Sequence, residues 1–180
     1  MSSSKTIKLV ESHVDKKEAT DIFYSWGQQN QHTLNLKSTA TIYYPFYYGE
    51  TYVVIKRIFP LSPRELRHRW MVDSITGRPF MLSDPPLVHS TTLSPEQEIM
   101  EPVIYDTVSR NDMEEKTLRF VMRFYKYFFT PHITVENFDL IYIKVWLFRF
   151  RKDQEVKDNF IGVNSWSGDL LEMEDHSLKK

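Results

Sequence analysis

The sequence predicts an α+β fold of two pseudo-symmetric repeats, each a helix packed on an antiparallel sheet of three or four strands. The segment Val72-Asp73-Ser74-Ile75-Thr76-Gly77 is echoed by Val163-Asn164-Ser165-Trp166-Ser167-Gly168, and an internal repeat constrains architecture before any other argument. A capped helical pattern precedes each of these turns. Between helix and turn, both copies carry aromatic and β-branched runs of strand character.

Along the chain, Lys5-Thr6-Ile7-Lys8-Leu9-Val10 reads as a first strand. Asp15-Lys16-Lys17-Glu18 pairs an N-cap carboxylate with a Glu three residues on, the pattern of a capping box. Residues 41–48 and 51–56 follow as two strands, and Phe59-Pro60-Leu61-Ser62-Pro63 is a loop because of its two prolines. Residues 68–72 and 78–82 then flank the first turn. In that turn Asp73 is placed to bond the backbone two residues on, and Gly77 supplies a positive φ. Residues 83–95 are rich in proline and hydroxyl residues and predict an irregular linker, with a short helix at 96–100. The second copy opens with Asp112-Met113-Glu114-Glu115, continues as a helix to Phe129, and enters a strand over 138–150. Residues 159–163 and 169–173 flank the second turn, where Asn164 and Gly168 stand for Asp73 and Gly77. The charged tail after Glu174 is expected to fray.

This pattern divides the chain into a first α+β repeat at 1–83, a proline-rich linker at 84–100 and a second repeat at 101–180. Halves of about 80 residues bury too little surface to be stable alone, so the two are expected to pack as one body.

Composition removes several classes of chemistry. There is no cysteine, which excludes thiolate catalysis and cysteine-rich zinc sites. A polar start and the lack of any apolar run near the roughly 20 residues of a membrane span predict a cytoplasmic protein with no span. The formal charge of −1 offers no overall footprint for nucleic acid. The histidines are scattered without paired spacing, and no P-loop, G-x-S-x-G or G-x-G-x-x-G occurs. Neither a metal nor a cofactor is expected, and no catalytic residue is assigned.

Two surfaces could bind a partner. Tyr43, Tyr47, Tyr48 and Tyr52 belong to an aromatic cluster whose many hydroxyls need partners or water, so an exposed tyrosine patch suited to a protein partner is expected. Lys116, Arg119, Arg123 and Lys126 recur at helical spacing as a cationic stripe, opposite an apolar one of Leu118, Met122, Tyr125 and Phe129. That stripe reads as a solvated face over a buried one or as a ridge for phosphate or an acidic protein, the solvated face being the simpler reading. Arg149 and Arg151 end an aromatic strand in the manner of single-strand nucleic-acid binders, although both faces of that strand suit a core.

Tyr52-Val53-Val54-Ile55-Lys56 together with Trp70-Met71-Val72-Asp73-Ser74-Ile75-Thr76-Gly77-Arg78-Pro79-Phe80 resembles the PepSY-type domain; the second copy has Asn164 for the aspartate and Ser167 for the threonine. The resemblance implies a helix on a curved antiparallel sheet, no enzymatic activity, and a binding or inhibitory role, often toward peptidases. The expected function is therefore a non-catalytic binding or regulatory protein acting on a protein partner. Nucleic-acid binding through the basic stripe and an enzyme with an unrecognised cleft are the alternatives.

Overall fold

The structure, a computed structural model, describes residues 4–152 and 155–173. The element order is β1 (Lys5–Val10), α1 (Lys16–Gln29), β2 (Leu34–Ile55), β3 (Arg64–Asp73), β4 (Pro79–Leu82), β5 (Val88–Leu93), β6 (Glu98–Ile99), α2 (Asp106–Phe124), β7 (His132–Lys152), β8 (Asn159–Asn164) and β9 (Leu170–Met173). The tail after Glu174 lies outside the described residues.

The expectation of two helix-on-sheet repeats is overturned. The protein is 48% strand and 20% helix, with one mixed sheet of nine strands. The central path runs β4-β3-β2-β7-β1-β5, with β6 on β2, β8 on β7 and β9 on β8. β1 pairs with β7 in parallel at Leu9 and Tyr142, as does β2 with β6 at Ile42 and Glu98.

Three local expectations fail with it. The segments 41–48 and 51–56 form one 22-residue strand, uninterrupted by Pro45 or Gly49. Gly49 lies close under its neighbours: a Cβ there would sit 2.7 Å from Met113 Sδ and 3.2 Å from Phe138. The linker is partly regular: Val88–Leu93 pairs antiparallel with β1, and the helix expected at 96–100 is instead the short strand β6. Finally, α2 starts at Asp106 and ends at Phe124, so Asp112 lies inside it and Lys126 and Phe129 lie beyond it. Ser109, Met113, Thr117 and Val121 are its buried residues. Their spacing of four carries the helix upstream of the acidic residues that suggested a cap.

The contacts define two compact units, each drawn from both sides of the 84–100 segment. The first comprises the described residues of Met1–Tyr44, Leu87–Glu101 and Tyr142–Lys180. Here Asp15 accepts from Glu18 N–H at 2.9 Å while Glu18 accepts from Asp15 N–H at 3.1 Å, closing a capping box on α1. The helix presents Ala19 and Phe23 to Phe148, Phe150, Ile161 and Val163, all buried. Phe23 stacks on Phe148 with ring centroids 4.7 Å apart and meets Phe150 edge-on at 5.3 Å. A helix from the first half of the sequence thus covers strands from the second half.

The second unit comprises Pro45–Pro86 and Pro102–Ile141 and makes the reciprocal exchange. Strands β2 and β3 pair antiparallel from Phe46 and Asp73 to Ile55 and Arg64, and β4 pairs with β3. Over them, α2 buries Met113 with Tyr47, Trp70 and Val72, and Val121 with Val53 and Ile55.

The exchange has a visible cause in the two turns. Asp73 Oδ1 accepts from the N–H groups of Ile75 (2.8 Å) and Thr76 (3.0 Å), and Asn164 Oδ1 accepts from Trp166 (2.8 Å) and Ser167 (3.2 Å). Gly77 and Gly168 adopt φ of 74° and 77°. Between them sit the fully buried Ser74 and Ser165. The Ser74 carbonyl accepts two N–H donors, Val103 at 2.9 Å and Ile104 at 2.8 Å, from the segment leading into α2. The Ser165 carbonyl accepts two, His13 and Val14, both at 2.7 Å, from the segment leading into α1. Each turn therefore anchors the helix approach from the other half of the sequence, satisfying backbone groups that burial would otherwise leave unpaired.

Candidate functional site

The tyrosine surface does not survive folding. Tyr43 and Tyr47 are buried, at 6% and 7% exposure. The Tyr43 hydroxyl accepts from Gln97 Nε2 at 3.0 Å, and Tyr47 stacks on Phe138 with centroids 5.3 Å apart. Both faces of β2 are covered from Ile42 to Tyr47, so these rings lie inside, the Tyr43 hydroxyl and the Tyr47 ring face each with a partner.

Tyr48 and Tyr52 are half-buried and engaged in a polar cluster of the second unit. The Tyr48 hydroxyl donates to Glu50 at 2.8 Å, and Glu50 also accepts from Asn137 at 3.1 Å and pairs with Arg69 at 3.4 Å. Desolvation, reinforced by the Glu50 carboxylate, pushes the Tyr48 hydroxyl up to about 12. The hydrogen bonds from Tyr48 and Asn137, with the charge of the nearby Arg69, hold Glu50 below the usual carboxylate range. Tyr48 is thus a fixed donor and Glu50 a fixed anion at neutral pH. Tyr52 lies under the Arg67 guanidinium, 5.0 Å from its ring centroid, and its interaction with the Glu65 carboxylate raises its proton affinity.

The cations are divided. Arg149 and Arg151 belong to the first unit, and both grip Asp158, at 2.6 and 2.9 Å. These two arginines hold the Asp158 carboxyl below its usual range. Lys116, Arg119, Arg123 and Lys126 belong to the second unit. Lys116 is half-buried and Arg119 pairs with Glu115, while Arg123 and Lys126 are exposed.

What stands out in the second unit is a set of apolar side chains left in solvent beside cations. β2 stops at Ile55, and Pro60 and Pro63 prevent its ladder from continuing before Arg64 opens β3. Leu61 N–H closes a turn on the Ile58 carbonyl at 3.1 Å, and Arg57 Nε donates to the Ser62 carbonyl at 2.7 Å. This turn leaves Ile58 52%, Phe59 92% and Leu61 57% exposed. At the other segment, α2 ends because Tyr125 takes extended angles, φ −127° and ψ 136°, its N–H bonding the Val121 carbonyl. Tyr125 and Tyr127 pack against the core of Val53, Ile55 and Val121, whereas Phe124, Phe128 and Phe129 are 60%, 75% and 52% exposed. This reverses the ordinary preference, since the amphipathic tyrosines are tucked in and the wholly apolar phenylalanines are out.

The two segments are neighbours. Val54 and Lys56 line one cavity of about 570 Å³ with Phe129, Thr130, Pro131 and His132, and the Arg64 guanidinium lies 4.5 Å from the Tyr125 ring centroid. Lys56, Arg57, Arg64, Arg123 and Lys126 all lie on them, all exposed. Among the described residues no carboxylate forms an ion pair with these five. The sequence has no acidic residue between Glu50 and Glu65 or between Glu115 and Glu136. Those two acid-free stretches, each holding cations and aromatics, were the signal that could have found this surface; reading the helix through to Phe129 hid it by assigning the phenylalanines to a buried stripe.

Chemically the arrangement can bind anions at its cations and apolar matter at its phenylalanines. Within the second unit His68 is half-buried with its Nε2 lacking a partner, and burial lowers its proton affinity; it packs against Phe120 at 4.9 Å. Among the described residues no helix is long and apolar enough to cross a membrane. Comparison with protein-family models, with curated proteins and with solved structures finds no match to this chain.

Proposed function

We propose that this chain is a non-catalytic binding or regulatory protein that meets its partner through segments 56–64 and 123–131 of the second unit. The observation that carries the reading is the exposure of Phe59 at 92%, with Phe124, Phe128 and Phe129 also more than half exposed. Leaving a phenylalanine in water forgoes about 1.5–3 kcal/mol of burial, and exposed apolar groups rimmed by charge mark interaction sites. The uncompensated cations supply the rim.

The test is a benzophenone side chain installed at position 59 of the full chain in its native cell, with one at the exposed Lys37 position as control. On irradiation, position 59 gives a discrete adduct that position 37 does not. Equal, diffuse labelling from both positions would end the assignment of this surface. A second reading, single-stranded nucleic acid, is favoured by Arg123 and Lys126 standing exposed near Phe124. It requires the position-59 adduct to be nucleic acid and the binding to weaken steeply with salt.

A further inference from the structure

We infer that the partner of this surface is the headgroup region of an anionic lipid bilayer, an inference that rests on the binding reading above. The apolar side chains are of two kinds. Phe59, Phe128 and Phe129 are aromatic, but Ile58 and Leu61, flanking Phe59 on the same turn, are aliphatic and more than half exposed. Stacking on bases uses rings alone and leaves isoleucine and leucine idle. Hydrocarbon at a membrane interface accepts all five, and exposed apolar groups set among Lys and Arg are the chemistry of interfacial binding.

Charge agrees with this occupant. In a chain of net charge −1, five exposed cations lie on two segments that hold no carboxylate between residues 51 and 64 or between 116 and 135. None of the five has a carboxylate partner among the described residues, and a surface of negative headgroups supplies the counter-charge. Position in the chain matters too: Lys56 and Arg57 directly precede Ile58 and Phe59, and Lys126 precedes Phe128 by two residues. Lys56 and Lys126 thus stand beside the apolar tips with long stems that can reach the headgroups while a ring enters the acyl boundary, Arg57 being turned back to the Ser62 carbonyl.

The experiment is co-sedimentation of the full chain with vesicles of phosphatidylcholine alone and of equal parts phosphatidylcholine and phosphatidylserine, alongside anisotropy with single-stranded oligodeoxythymidylate. The expected result is sedimentation with the phosphatidylserine vesicles at least tenfold stronger than with phosphatidylcholine. Phe59→Ser weakens it about tenfold through the loss of one buried ring, and Lys126→Glu, a change of two charges, weakens it more than the roughly fivefold of one lost cation. Both residues are exposed, so neither variant disturbs the core, and circular dichroism confirms that the fold is kept. Equal binding to both vesicle types overturns the inference, as does sedimentation unchanged by Phe59→Ser. So does no vesicle binding together with either an oligonucleotide signal or a protein adduct at position 59, although that result leaves the binding surface itself intact. Only the absence of any specific adduct at position 59 removes the surface.

Discussion

Thr117 offers the sharpest test of how the second unit is held. Its hydroxyl is fully buried, accepts from the Trp70 indole N–H at 2.8 Å, and lies 2.9 Å from the Thr51 hydroxyl, which in turn reaches the His68 carbonyl at 3.4 Å. With Thr51 donating to that carbonyl, Thr117 must donate to Thr51, so the proton direction runs from Trp70 on β3 through α2 to β2 and back to β3. Thr117→Val keeps the shape and removes the relay. The buried indole N–H is then orphaned at about 1–3 kcal/mol, and the lost bond to Thr51 adds about 1 kcal/mol. The total is about 2–4 kcal/mol, or about 1–2 M in urea midpoint for a slope of about 2 kcal/mol/M. Thr117→Ser retains the hydroxyl and loses a methyl, about 1 kcal/mol. In the double variant Trp70→Phe with Thr117→Val the costs are less than additive, because the orphaned donor is gone. The assay is urea unfolding followed by far-ultraviolet circular dichroism. A loss below about 0.5 kcal/mol for Thr117→Val, within the spread of ordinary surface substitutions, would refute the relay. Serine proving as costly as valine would refute it equally.

Three further outcomes are expected. Phe23→Ala, which empties the stack on Phe148 and Phe150, costs about 3–5 kcal/mol by the same unfolding measurement, and a value under about 1 kcal/mol would mean that α1 does not seal this core. Alanine at Gly77 or Gly168 is strained by about 1–2 kcal/mol at positive φ, and Gly77→Ala is the worse of the two because its Cβ meets Ile104 Cδ1 at 2.8 Å against 3.5 Å from Gly168 to Ile22; the reverse order in thermal midpoint would contradict the geometry. His68 is held below its ordinary value by burial, so the unfolded chain binds a proton that the folded one resists. Its effect on stability is nil above the unfolded value of 6.5 and becomes a loss as pH falls below it toward the depressed folded value. His68→Gln therefore flattens the decline in urea midpoint below about pH 6.5, and an unchanged slope would show that other groups cause it.

Local chemistry made part of this protein legible in its sequence. The carboxamide and carboxylate bonds of Asn164 and Asp73 span two or three residues, as does the capping box of Asp15 and Glu18, so neighbours alone specify them. Strand character in β1, β3 and β8 follows likewise from β-branched and aromatic runs. Tertiary structure decided the rest. Which hairpin each helix covers depends on carbonyls of Ser74 and Ser165 meeting N–H groups far along the chain, and nothing within a short window encodes a partner at that distance. The same holds for Val88–Leu93, a linker by composition and a strand because β1 presents a free edge to it. It holds also for the phenylalanines: helical periodicity through Phe129 implied burial, but α2 ends at Phe124, and whether a ring is covered or left in water is settled by where the helix stops and what packs on it.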